Sequence, residues 1–187
     1  VLFFGVPLAA GVGARLLLSY KAADLTLEGA FVTGLIAGPY AGAIVGALTG
    51  LPPLFGGEFI ALPFAVGCGF AGGGLRALCP PESIWHFSPF VFTSLPRRAW
   101  QMLRALQVDW QVVRLLVPIG LELLRRGIGD RGNPQRLFDP TTGPDSPWML
   151  TAVLLATVLG VATPIKIWNN ARIEHRLLEQ EKLLLAA

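Results

Sequence analysis

The residues of this 187-residue chain that could do chemistry are two histidines, two cysteines and twelve carboxylates. Their spacing offers no catalytic constellation. His86 and His175 are far apart, and no C-x-x-C or other metal-ligand spacing is present. Cys68 lies in an apolar run, where a small thiol ordinarily packs as a hydrophobe. P-loop, nucleophile-elbow and H-E-x-x-H signatures are all missing. No catalytic residue, metal or cofactor is therefore expected. The better candidates are ionisable and aromatic residues beside apolar segments: Glu28, Glu58, Arg76, Trp85 and His86. An ionisable group in such surroundings is a ligand-binding or sensing candidate by default. Each also has a plainer role. Glu28 opens a helix, where the dipole favours a carboxylate. Glu58 suits a wet interface. Trp85-His86-Phe87 suits interfacial anchoring, or a pH-sensitive lid through the imidazole. Glu58 and Arg76 would stand about 27 Å apart along one straight helix, too far to pair on it.

The elements that must position these residues follow from composition. The chain is 53% hydrophobic and only 14% charged, against about 25% charged for an ordinary soluble domain. Its mean hydropathy is +0.58. So little charge cannot coat a soluble globule, whereas a bilayer removes that need. Segments of about 20 apolar residues place spans near 1–20, 27–51, 59–78 and 148–168, the last with Trp148 and Trp168 at its ends. A further stretch, 110–124, is short and contains Pro118; it either spans or lies on the membrane surface. The Pro- and aromatic-rich stretch that follows Leu78 reads as interfacial or re-entrant. Residues 127–147 read as a loop rich in Gly, Pro, Asp and Asn. The expected fold is an all-α transmembrane bundle of four to five spans (1–168), followed by a cytoplasmic helix (169–187). The small net charge of +3, with basic residues flanking apolar segments, speaks for membrane anchoring and not for nucleic acid.

Gly34, Gly38, Gly42, Gly46 and Gly50 recur every four residues. On a helix this makes a groove free of side chains, against which another helix packs closely. Pro39 interrupts it and predicts a kink. A second cluster, including Gly72, Gly73 and Gly74, predicts that the next helix packs on the first. The tail steps through Asn170, Ile173, Leu177, Gln180 and Leu184 at heptad spacing, so Ile173, Leu177 and Leu184 would form a dimer seam. A lone amphipathic helix on the membrane is the alternative reading of that tail.

The run G-L-x-x-G-P-x-x-G at Gly34, Leu35, Gly38, Pro39 and Gly42, the Gly56-Gly57 loop and the Gly72–Gly74 cluster resemble the LytS/YhcK-type five-transmembrane receptor domain. IWNNARIEHRLLEQEKLLLAA resembles the linker before the phosphoacceptor region of LytS-type sensor histidine kinases. The resemblance implies a signal-sensing membrane portion in the bacterial inner membrane with its C-terminus cytoplasmic. It also implies a homodimer and a response regulator reached through a kinase domain beyond Ala187. Val1 opens directly into an apolar run and the tail stops within a helical pattern, so both ends read as cuts in a longer protein. Arginines that the family carries near Thr26 and Pro53 are replaced here, so its small-carboxylate ligand is not implied. The other function class considered is a transport protein, such as a vitamin-uptake substrate-binding subunit.

Overall fold

A computed structural model describes residues 2–18, 25–55, 57–79, 91–105, 108–132 and 147–186. Every regular element among them is a helix: α1 (Leu2–Leu18), α2 (Thr26–Ala37), α3 (Pro39–Phe55), α4 (Ala61–Leu78), α5 (Val91–Ala105), α6 (Trp110–Gly132) and α7 (Pro147–Ala186). Among the described residues, two helical stretches are long and apolar enough to cross a membrane, Ala61–Leu78 and Leu150–Gln180. The count falls below the expected four to five for physical reasons. The helix expected over 27–51 is divided, and α6 carries Arg114, Glu122, Arg125 and Arg126 within its length.

The division occurs at Gly38. Its φ of 102° and ψ of 171° belong to a region essentially reserved for glycine. Pro39 has no N–H, and its ring disfavours helical geometry at the residue before it. Both facts end α2 here. Pro39 then takes the first position of α3, where a missing N–H costs nothing. Gly38 serves both helices: its N–H donates to the Gly34 carbonyl at 2.9 Å, and its own carbonyl accepts from the Gly42 N–H at 3.1 Å.

The chain does more than kink at this point; it reverses. A Cβ on Gly42 would lie 2.6 Å from the Gly34 Cα. In a continuous helix these residues would be about 12 Å apart. Farther along, Thr26 and Leu27 of α2 line the same small void as Gly50 and Pro53 of α3. Thus α2 and α3 form an antiparallel hairpin with a single-residue turn.

The ladder binds this hairpin to α4. A Cβ at Gly34 would strike the Gly69 carbonyl, one at Gly46 the Ala65 carbonyl, and one at Gly50 would come 2.8 Å from the Leu62 Cα. From the other side, Gly69, Gly72 and Gly73 press on Gly42, Phe31 and Pro39. The expected packing of two glycine-rich helices is present as three mutually touching segments. Gly74 is not part of it; a Cβ there would meet nothing within 4 Å. Its place on the outer side of α4 follows from the 100° step after Gly73.

Side chains join α6 and α7 to this module. Phe31, Leu35, Leu75, Cys79, Val161 and Ile165 form a buried cluster, with Trp110, Val113 and Val117 packed against it. Trp110 therefore lies at the Gly38 end of the bundle, together with Cys79 and Ile165. Helix α7 continues without interruption for 40 residues, about 60 Å, through Trp168 and into the charged tail.

Candidate functional site

The site grows from a stripe on α6. Arg114, Pro118, Glu122 and Arg125 are spaced by four, four and three residues, so they share one helix face. That face points inward: Arg114 is 1% exposed, Glu122 1% and Arg125 3%. Leu123 and Leu124, on the outer side, are about half exposed. This polarity is inverted relative to a soluble amphipathic helix, whose charges face water. The Arg125 Nη2 donates to Glu122 Oε1 at 2.9 Å, a buried ion pair across one turn.

Glu28 joins this pair from α2. Its side chain is 5% exposed. It is hydrogen-bonded to the Thr157 side chain of α7 and lies within electrostatic reach of Arg125 and Glu122. Thr157 is itself 1% exposed. One turn farther along α7, Gly160 makes room for Glu28: a Cβ there would come 3.0 Å from the Glu28 Cγ. Cys68 of α4 completes the surroundings, close enough to feel all three charges. Four helices thus converge on one buried polar cluster, Glu28–Thr157–Glu122–Arg125. Below it, Arg125 lines a void of about 10 Å³ with Thr26, Leu27, Gly50, Pro53, Ala61 and Phe64 among its walls. That is room for roughly one water.

The cluster stands at the end of the bundle opposite Gly38, but not at its rim. Thr157 is about 15 Å along α7 from Pro147, and Arg125 about 10 Å along α6 from Gly132. What the arrangement can do is hold, exchange or compensate charge in a setting without bulk water. Among the described residues no group of His, Cys, Asp and Glu could hold a metal ion.

The other expected residues fall elsewhere. Glu58 is buried in the turn between α3 and α4, where its N–H donates to the Pro53 carbonyl at 3.0 Å. Arg76 lies at the far end of α4, and its guanidinium donates to the Ile36 carbonyl, one of the orphan acceptors at the end of α2. Its position is explained by closing the hairpin. Trp85 and His86 lie outside the described residues. Ile173 and Leu177 are exposed at 49% and 58% on the projecting part of α7. Leu184 lies in the same helix, and its side chain is outside the described set. His175 is exposed beside Glu179 at 3.3 Å. A second buried charge, Arg114, sits near Cys79 and Asp109 at the Gly38 end. Burial pushes the Cys79 thiol up from its ordinary value, and Arg114 acts in the opposite direction.

Comparison with protein-family models, with curated proteins and with solved structures finds no match for the chain.

Proposed function

We propose that this chain is the membrane-embedded sensing portion of a LytS-like sensor histidine kinase. In this reading α1, the α2–α3 hairpin, α4, α6 and the first part of α7 lie in the inner membrane, and the tail enters the cytoplasm. Lipid embedding is supported by the inverted polarity of α6 and by the apolar residues left outside elsewhere: Tyr40, Phe55, Phe70, Leu78 and Leu155. The Gly38 end carries Arg76, Arg97, Arg98, Arg104 and Lys166, which suits a cytoplasmic face.

The observation that carries the signalling role is the continuity of α7. One helix holds Thr157 and Gly160 against Glu28 and, about 20–30 Å on, presents Ile173 and Leu177 to solvent. A change in packing around Glu28 has a rigid route to the tail. The tail seam pairs with that of a second copy, and the kinase domain following it phosphorylates a response regulator.

Cysteine scanning over 170–180 in native membranes tests this. Oxidative cross-linking should peak at Ile173→Cys and Leu177→Cys and fall at the positions between. A flat profile would sink the dimeric seam. The reading also requires a phosphoacceptor box in the gene soon after Ala187; a stop codon there overturns the kinase assignment. The transport reading is favoured by the buried charges of α6, and solute uptake by reconstituted vesicles would decide for it.

A further inference from the structure

Glu28 has a feature that neither signalling nor packing requires. Its Oε2 is buried and has no hydrogen-bond partner. Leaving a buried acceptor unmade is costly, and more so when it is charged. The groups that face it can be named helix by helix. From α7 come the Thr157 hydroxyl and the Gly160 backbone; from α6, Glu122 and Arg125; from α4, the Cys68 thiol. Tyr40, the titratable residue of α3, stands at the Gly38 end, and the Arg15 side chain of α1 is outside the described set. Arg125 is already engaged with Glu122. Arg125 thus faces both carboxylates, and in this setting Glu28 Oε2 is left without a hydrogen bond.

The occupant that would relieve the Glu28 carboxylate is limited by space and by ligand chemistry. The void of about 10 Å³ that Arg125 lines is too small for an organic cation. A hard metal ion wants about six or more oxygens, whereas two carboxylates and one hydroxyl are present with a guanidinium among them. A proton needs neither volume nor a ligand shell. We propose that Glu28 is a reversible proton-binding site, and that its protonation state sets its contact with Thr157 and Gly160 on α7. In the step, the carboxylate takes one proton from a hydronium ion in the water at the α2 N-terminal end of the bundle, leaving a water molecule, and becomes a carboxylic acid; no other side chain of the cluster changes charge. Carried on Oε1, the proton is donated to the Thr157 hydroxyl and reverses that bond, and Oε2 becomes an uncharged carbonyl oxygen, for which an unmade hydrogen bond costs less. This site stands whether or not the tail leads to a kinase.

The test uses the whole chain in lipid nanodiscs and infrared difference spectra between successive pH values. A carboxylic C=O band characteristic of a buried acid should rise and fall with pH. It should be lost in Glu28→Gln and retained in Glu58→Gln. Amide exchange around Thr157 should change over the same pH interval in the wild type and become independent of pH in Glu28→Gln. Absence of a titrating buried acid, a band that survives Glu28→Gln, or exchange at Thr157 indifferent to pH each overturns the proposal. If Glu28→Gln fails to fold, Gly160→Ala replaces it, because its methyl would press on the Glu28 Cγ; the band must then shift, and an unmoved band overturns the assignment. Exchanging sodium for potassium at fixed pH should leave the band unchanged, and a shift would assign the site to a metal ion instead.

Discussion

Helices α2, α3 and α4 touch through their backbones, whereas α6 and α7 reach them through side chains. In the first region glycines at Gly34, Gly42, Gly46, Gly69 and Gly72 bring peptide groups within van der Waals range. Nothing there can rotate to a new rotamer, so the contact has one geometry. In the second, Glu28, Glu122, Arg125 and Thr157 meet across helices with rotatable side chains, and a proton or a small shift can change their pairing. The difference teaches where rigidity and responsiveness are located. Packing without side chains makes a fixed frame, and buried charge makes the joint between that frame and the helix that leaves it.

The comparison can be broken from either side. The largest effect is expected at Arg125. Arg125→Ala strands Glu122 and Glu28 in the core and should cost about 3–5 kcal/mol in detergent unfolding. Replacing Glu122 and Arg125 together with leucines should recover most of that loss; failure to recover would mean that the pair is a structural tie and not a joint. Gly46→Ala comes next. Its Cβ would sit 2.6 Å from the Ala65 carbonyl carbon, with only backbone to give way. A loss at or above about 3 kcal/mol is expected. The same substitution at Gly74, which faces open space, should change stability by less than about 0.5 kcal/mol. Equal effects at the two glycines would remove the rigid frame from the account. Gly38→Ala should cost about 1–3 kcal/mol through its φ of 102° alone. The smallest effect belongs to Arg76→Met, which frees the Ile36 carbonyl and should cost about 1 kcal/mol, read as faster amide exchange at the end of α2.

Much of the frame was legible in the sequence because glycine spacing reports directly on close approach. The ladder predicted the contact with α4, and the contacts at Gly46 and Gly50 follow the expected face. The proton-exchanging joint was only partly legible. Glu28 stands out as an isolated charge in an apolar run, but its partners do not. Glu122 and Arg125 give no such signal, since a stripe of charge has the same period whether it faces water or a bundle interior. The sequence signal that separates the two is on the opposite face. Away from the buried charges, Leu116, Ile119, Leu123 and Leu124 give the α6 surface an apolar side, interrupted by Arg126. Burial of Thr157 could not be read, because a threonine in an apolar helix can bond its own backbone and needs no partner.

The reversal at Gly38 alters an arithmetic on which orientation depends. A hydropathy profile counts 27–51 as one passage between the two faces of a membrane. A hairpin contributes none or two, never one, so the parity of the whole chain changes there. In the proposed embedding, with the tail held on one face, the start of α2 moves to the other, and Glu28 opens toward the compartment that the tail never meets.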